Sequence, residues 1–160
     1  MLTSTILGSF RFKAEIDATR NQFERLGVVV LAPEKGLPWR ARRGFLPLES
    51  ELYMDRGQVE NEFLKAIIRS TFIYVVDPDG YVGETVSLEI GAAVAAYKPI
   101  YAQEPINPNL DLDPLWRKRM QDFITVAEVT EVVDIERTKL SSESELVPTI
   151  AEQLNYLSAL

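Results

Sequence analysis

The chain has 160 residues and a formal net charge of −7, with 46% hydrophobic and 26% charged residues. These proportions predict a single globular domain over residues 1–160 and exclude a disordered or collagen-like chain. The acidic balance argues against binding a nucleic-acid polymer, whose backbone attracts clustered positive charge. Cysteine and histidine are both absent, so carboxylates, tyrosines and lysines must carry any chemistry, without disulfides, thiolate or histidine metal sites, or histidine bases.

The N-terminal segment MLTSTILGSFRF has no positive leader before its apolar residues. No apolar stretch reaches the roughly 18 residues that indicate a membrane span. We therefore expect a cytoplasmic protein that does not enter a membrane, and any nucleic-acid-like ligand should be small.

The first elements alternate between strand and helix. Residues 3–8 predict a short buried strand, and the apolar spacing over 11–26 predicts a helix that Gly27 ends. Residues 28–33, VVVLAP, form a β-branched run that ends in proline, as expected of a second buried parallel strand.

The middle of the chain continues this alternation after a long gap. Residues 34–55 contain glycines, prolines and a basic patch without a clear period, which predicts a long loop. A helix over 57–70 then precedes a third buried strand at 72–77. A further helix over 84–97 leads to a strand near 98–103.

The pattern weakens beyond Pro105. The segment DPLWRKRMQDF predicts a short helix that starts at an Asp-Pro pair. A short strand is expected within ITVAEVTEVVDI, and a closing helix over residues 144–158. The alternation as a whole predicts an α/β fold, with a doubly wound, mostly parallel sheet of about five strands flanked by helices, Rossmann-like or flavodoxin-like.

In such a sheet, ligands bind outside the carboxyl ends of the strands, where three loops of this chain converge. They are Gly8-Ser9-Phe10-Arg11, the long loop over 34–55, and the loop from Asp77 to Gly83. Free amides at a helix start suit an anion such as phosphate, although a Gly-Ser turn is equally a plain strand-to-helix corner. Candidate stacking residues are Phe10, Trp39 and Tyr81, and candidate anion contacts or subunit contacts are Arg40, Arg42 and Arg43.

Helix 84–97 contains the most informative acid. Turning by 100° per residue predicts one buried stripe, made of Val86, Ile90, Ala93, Val94 and Tyr97. Glu89 falls beside this stripe among small residues, at the rim of the core. The position fits either a catalytic acid with space for a ligand or a surface glutamate in an ordinary salt bridge.

These residues resemble a known family. GSFRF after the first strand, FIYVVDPDG at the third, and GYVGETVSLEIGAAVAAYKPIYA are similar to segments of the nucleoside 2-deoxyribosyltransferases and the related nucleoside 5′-monophosphate N-glycosidases. Glu89-Ile90-Gly91-x-Ala93 followed by Lys98-Pro99-Ile100 is the part of the chain that matches best. The resemblance covers roughly residues 4–102 and does not extend to the last third.

The resemblance implies cleavage or transfer of an N-glycosidic bond through a covalent glycosyl-Glu89 intermediate. Asp77 or Asp79 would assist the departing base, and the Gly-Ser-x-Arg turn would hold a 5′-phosphate. The candidate substrate-binding residues are Gly8, Ser9, Phe10, Arg11, Tyr81, Gly83 and Thr85. The resemblance also implies a homodimer or larger assembly, and no metal or redox cofactor is expected, because double displacement needs neither.

Two other functions fit the same residues. The chain could be a non-catalytic nucleotide-binding or sensing module in which Glu89 only binds sugar hydroxyls. It could also be a glycohydrolase that acts on a dinucleotide such as NAD with a similar lone glutamate. The sequence does not distinguish transferase from hydrolase, nor does it identify the base and sugar.

Overall fold

The computed structural model describes residues 1–33 and 56–142, with side chains from residue 60 onward in the second range. The predicted loop over 34–55, with its Trp39 and arginines, and the predicted closing helix over 144–158 lie outside the described residues. In the described ranges, no helix is long and apolar enough to cross a bilayer.

Strands and helices alternate along the chain. The strands are β1 (Thr3–Gly8), β2 (Val29–Ala32), β3 (Phe72–Val76), β4 (Ile100–Ala102) and β5 (Ile124–Val126). The helices are α1 (Lys13–Arg25), α2 (Arg56–Arg69), α3 (Glu84–Ala95), α4 (Pro114–Phe123) and α5, which comprises the helical residues 129–142. Short 3-10 turns at Phe10–Phe12 and Pro78–Gly80 follow β1 and β3.

The five strands form one parallel sheet in the order β2-β1-β3-β4-β5. This confirms the predicted doubly wound α/β fold. The chain reverses its direction of progress across the sheet between β1 and β3, which pair in register from Ser4 with Phe72 to Gly8 with Val76. A doubly wound sheet opens a crevice at such a reversal, outside the carboxyl ends of the two strands.

The sheet is covered on both faces. On one face, α2, α3 and α4 pack against Ile73 and Val75 of β3. On the other, α1 and α5 pack against Phe72, Tyr74 and Val76. Strands that are buried on both sides lose the alternation of apolar and polar residues, which is why their sequences are continuous apolar runs. Burial of each large apolar side chain stabilises the fold by about 1.5–3 kcal/mol.

Local signals mark two of the helix ends as predicted. Gly27 has a φ of 78°, and the Val28 amide donates to the Phe23 carbonyl at 3.0 Å, so a left-handed glycine ends α1. Asp113 begins α4, because its side chain accepts hydrogen bonds from the amides of Leu115 and Trp116.

The short strand expected within ITVAEVTEVVDI is confirmed by β5, which is its first three residues. The helix α5, which starts at residue 129, was not predicted, and Val129, Val132, Val133 and Glu136 share its buried face. One expectation about α3 was wrong. Tyr97 does not belong to the buried stripe of α3. The helix ends at Ala95, and Tyr97 follows with a φ of 54° and 94% of its surface exposed.

Candidate active site

The crevice between β1 and β3 is lined by the two loops that leave these strands. The Phe10–Phe12 turn starts directly after β1, and the Pro78–Gly80 turn starts directly after β3. Gly8 and Val76 are paired at the ends of their strands. The two loops therefore diverge from adjacent points at the carboxyl edge, where the ligand site of a doubly wound sheet is expected.

Glu89 lies in the second turn of α3 and is 6% exposed. It shares the buried side of the helix with Val86, Ile90 and Ala93. In the part of the chain that the structure describes, no side chain or amide forms a hydrogen bond or ion pair with its carboxylate. Burial, together with the nearby charge of Glu60, raises the pKa of Glu89 to about 8. Glu89 is thus a buried acid that holds its proton at neutral pH.

The negative charge of Glu60 acts on Glu89 from the neighbouring helix. On α2, residues 60, 63, 64 and 67 follow the spacing of one helix face, and Phe63 and Ile67 of this face are in the core with α3. Glu60 is the half-exposed residue at the upper end of this face. Glu60 was not among the predicted site residues, although its spacing from Phe63 and Ile67 places it on the core side of α2.

Asp77 ends β3 and is 1% exposed. Its Oδ1 accepts a hydrogen bond of 3.0 Å from the Glu104 amide, which ties the loop after β4 to the end of β3. Its buried Oδ2 has no hydrogen-bond partner in the described ranges. Burial raises the pKa of Asp77 to about 7, the charge of Glu104 adds to this rise, and the amide hydrogen bonds oppose it.

Asp79 occupies a different environment from Asp77, in an exposed tight turn. Its φ is 56°, and its carbonyl accepts a hydrogen bond of 3.1 Å from the Asn107 side chain. The next residue, Gly80, has a φ of 66°, and a β-carbon there would lie 2.2 Å from the Pro105 carbonyl oxygen. The geometry of Asp79 is that of a turn residue, in which short polar side chains tolerate the left-handed region.

Arg11 and Tyr81 join the two loops across the crevice. The guanidinium of Arg11 lies 4.4 Å from the centre of the Tyr81 ring, and its Nε donates to Ser9 Oγ at 3.2 Å. Phe12 packs edge-on against the same ring at 5.9 Å. Arg11 is exposed and held in place at the mouth of the crevice. An arginine oriented by a ring and a hydroxyl is suited to bind an anion.

Of the remaining predicted substrate-binding residues, two pack against the strands and the core, and two lie at the start of α3. A β-carbon at Gly8 would lie 2.8 Å from the Val76 carbonyl oxygen, so close strand packing already requires this glycine. The Phe10 ring lies 6.0 Å from Phe63 and packs against the core. Gly83 precedes α3 without a side-chain cap for the helix, and Thr85 follows in the first turn, half-buried.

The structure thus brings Ser9, Arg11 and Tyr81 together in one cluster, with Gly83 against the Tyr81 hydroxyl. The carboxylate of Glu60 instead acts on Glu89 by charge repulsion, and Glu89 forms no hydrogen bond with Asp77 or Asp79. The described residues contain no cluster of three or more acidic side chains that could hold a metal ion.

Solved structures of other proteins share this fold. The CMP N-glycosidase of Clostridium botulinum is 14% identical with a TM-score of 0.50, and the match covers 86% of this chain and 98% of that one. A conserved protein of Enterococcus faecalis is 13% identical with a TM-score of 0.55, with coverage of 87% and 99%. At such low identity the likeness is one of fold. No protein-family model and no curated protein matches the sequence.

Proposed function

We propose that this protein cleaves or transfers the N-glycosidic bond of a nucleoside or nucleoside 5′-monophosphate, with Glu89 as the nucleophile. The observation that carries the proposal is the buried carboxyl of Glu89 in the second turn of α3, on the helix that follows the crevice. Among the described residues this carboxyl has no hydrogen-bond or ion-pair partner. The shared fold with a CMP N-glycosidase supports the same class of reaction.

The first step forms a bond between a Glu89 oxygen and the anomeric carbon of the sugar, while the carbon–nitrogen bond breaks and its electron pair leaves with the base. Only the ionised carboxylate can attack. With a pKa of about 8, roughly a tenth of the free enzyme carries this form at pH 7. Water or a second base then attacks the same carbon and releases Glu89.

The departing base needs a proton, and we propose Asp77 as its source rather than Asp79. Asp77 is buried at the end of β3, and its pKa of about 7 leaves it about half protonated at neutral pH. Its Oδ2, which has no hydrogen-bond partner among the residues that the structure describes, is the atom that would carry this proton. Asp79 is exposed in a tight turn, so its geometry is explained without a catalytic role.

A 5′-phosphate would bind beside Arg11. The guanidinium supplies positive charge at the mouth of the crevice, and the amides that start α3 have no side-chain cap. This supports a phosphorylated substrate. Arg11→Ala should then lower kcat/KM about 10- to 100-fold for a nucleoside 5′-monophosphate and change it little for the nucleoside. Arg25→Ala, an exposed residue at the end of α1, is the matched control.

The direct test is to incubate the protein with a panel of nucleosides and 5′-monophosphates, with and without an acceptor base, and to measure base release. Glu89→Gln should reduce release at least about a thousandfold, since the nucleophile is lost. Glu131→Gln, an exposed glutamate on α5, should leave it unchanged. A mass increase of the protein by one sugar would identify the covalent intermediate.

Three results would overturn the proposal. If base release continues undiminished in Glu89→Gln, Glu89 is not the nucleophile. If the wild-type protein binds nucleotides but releases no base from any of them, the chain is a binding or sensing module. Release of nicotinamide from NAD alone would instead identify a dinucleotide glycohydrolase.

A further inference from the structure

The loop that follows β4, residues 103–107, is held at each of its backbone amides. Pro105 has no amide hydrogen, and the other four residues all donate hydrogen bonds. Three of these bonds reach β3 and the loop after it: Gln103 donates to the Val75 carbonyl, Glu104 to Asp77 Oδ1, and Asn107 to the Gly80 carbonyl. This part of the loop is therefore fastened to the end of β3, beside Asp77.

The fourth amide, that of Ile106, donates to a side chain of the helical layer. Its acceptor is Oε1 of Gln121 in α4, at a distance of 2.7 Å. Ile106 is 6% exposed and belongs to the core on the face that α2, α3 and α4 cover, and Gln121 is half-buried. An amide in such a buried residue needs a partner, because leaving it unsatisfied destabilises the fold. Gln121 supplies this partner and ties the loop to α4.

We propose that Gln121 is a positioning residue for Asp77. By fixing the loop after β4, it keeps the Glu104 amide on Asp77 Oδ1 and leaves Oδ2 to the departing base. The proposal rests on the proposed role of Asp77 as the proton donor. Only Pro105 separates Glu104 from Ile106, and its ring restricts the backbone between them. A displacement at Ile106 is therefore transmitted to the Glu104 amide.

The hydrogen bond at Oδ1 decides which oxygen of Asp77 carries the proton. In a protonated carboxyl group one oxygen donates and the other accepts. Oδ1 accepts from the Glu104 amide at 3.0 Å, so the proton lies on Oδ2, which has no partner among the described residues. The proton passes from Oδ2 to the nitrogen of the leaving base, and the carboxylate that remains keeps the hydrogen bond at Oδ1. Without this amide, either oxygen could carry the proton and the carboxyl group could rotate.

Base release by two variants of Gln121 tests this role, with the best substrate of the nucleoside and nucleotide panel. Gln121→Leu removes the acceptor and should lower kcat about tenfold with little change in KM, because the acid is misplaced rather than lost. Gln121→Glu keeps an accepting oxygen and should stay within about threefold of the wild type. Asp113→Ala is the control, because it removes the hydrogen bonds that cap α4 but not the one to Ile106. It should leave kcat unchanged.

A double variant separates a positioning role from a purely structural one. In the Asp77→Asn background, Gln121→Leu should cause no further loss of kcat, since the group through which it acts is already gone. A purely structural role would instead lower kcat by the same factor in both backgrounds.

Hydrogen exchange of the Glu104 amide, followed by NMR, tests the same link without any substrate. Gln121→Leu should accelerate exchange of this amide at least about tenfold, and Asp113→Ala should not. Any of three results would contradict the proposal: unchanged exchange at Glu104 in Gln121→Leu, an unchanged kcat in that variant, or losses of kcat that add to those of Asp77→Asn. If the wild type releases no base from any substrate, the proposed function fails, and the exchange rate of the Glu104 amide still decides whether Gln121 holds the loop against Asp77.

Discussion

Glu89, Asp77 and Glu60 show how the surroundings of a carboxyl group decide what it can do. Glu89 and Asp77 lie within the protein and keep their protons to pH values of about 8 and about 7. Glu60 contributes to this at Glu89 through its negative charge. The proposed reaction needs Glu89 ionised and Asp77 protonated, which is the minor combination at any pH.

A plot of kcat/KM against pH should therefore be a narrow bell-shaped curve. The slope of kcat/KM should be positive below about 7 and negative above about 8, with the optimum midway between the two pKa values. Glu60→Gln removes a charge that opposes ionisation of Glu89. It should move the optimum to lower pH by about a few tenths of a unit and raise the rate there.

Measurement of kcat/KM from pH 5 to 10 checks this, with Glu62→Gln as the control. Glu62 is exposed on the same helix and pairs with Lys65 at 2.6 Å. An unchanged optimum in Glu60→Gln would show that Glu60 does not influence Glu89. A shift of equal size in both variants would point to the net charge of the molecule as the cause.

At the scale of the elements, the two loops after β3 and β4 are built as one unit around Gly80. Its amide donates to the Asp77 carbonyl at 2.7 Å, and its carbonyl accepts from the Asn107 amide at 2.9 Å. A β-carbon at this position would overlap the Pro105 carbonyl, so the backbones approach as closely as a glycine allows. The unit fixes the position of Asp77 at the crevice.

Gly80→Ala should therefore destabilise the fold for two reasons, the left-handed φ and the clash with Pro105. We expect a loss of more than about 2 kcal/mol in the free energy of unfolding. Gly27→Ala is the matched control, because Gly27 also has a positive φ but a β-carbon there would lie 3.8 Å from its nearest neighbour. It should lose only about 1 kcal/mol. If urea unfolding gives the two variants equal losses of free energy of unfolding, the clash with Pro105 does not destabilise the fold.

A second link between elements holds α5 on the sheet. The buried Tyr101 hydroxyl of β4 donates to Glu136 Oε1 at 2.5 Å, and Lys139 donates to the same oxygen at 2.6 Å. Tyr101→Phe and Glu136→Ala should each destabilise the fold. A double-mutant cycle by urea unfolding should give a coupling free energy of about 1–3 kcal/mol, because each single change leaves a buried polar partner. Additive losses would contradict the hydrogen bond.

The elements that could be predicted from the sequence are those whose own residues determine them. β1, β2 and β3 are apolar runs buried on both sides, and Gly27 and Asp113 mark helix ends locally. α5 was missed because its β-branched residues Val129, Val132 and Val133 resemble a strand, while the helical spacing that outweighs this preference extends across the whole segment. The end of α3 was misplaced because Tyr97 continues its apolar pattern.

The candidate site was less predictable, because it depends on pairs of elements. Glu89 and the loops at Arg11 and Tyr81 were predicted as parts of the site from the sequence. It could not indicate that the charge of Glu60 would act on Glu89, since the two are neighbours only once α2 and α3 pack together. Nor could it separate Asp77 from Asp79, which differ in burial rather than in type.

For the whole molecule, the absence of histidine makes the pH dependence of stability unusually simple to interpret. With no histidine in the chain, no side chain with an ordinary pKa titrates between about pH 6 and 8. Asp77 and Glu89 do titrate there. In the folded state the pKa of each group is above its ordinary value of 3.8 or 4.5, so both groups bind protons more tightly there than in the unfolded chain.

The sign of the effect follows from this difference. Between the ordinary and the raised pKa the folded state holds more protons than the unfolded state, so the free energy of unfolding decreases as the pH rises. The stabilisation is fully present below about pH 4 for these two groups and is lost above about pH 8. The net charge of −7 acts in the same direction, because protonation of other acids relieves self-repulsion at mildly acidic pH.

We therefore expect stability to be highest at mildly acidic pH, about 5–6, and to decrease by about 2–5 kcal/mol by pH 9. The double variant Asp77→Asn, Glu89→Gln should lose most of this slope between pH 6 and 9, and it should be more stable than the wild type at pH 9. Urea unfolding at pH 6, 7.5 and 9 measures both chains. A wild-type stability that increases over this range, or a slope that the double variant retains, would mean that neither carboxyl is protonated in the folded protein.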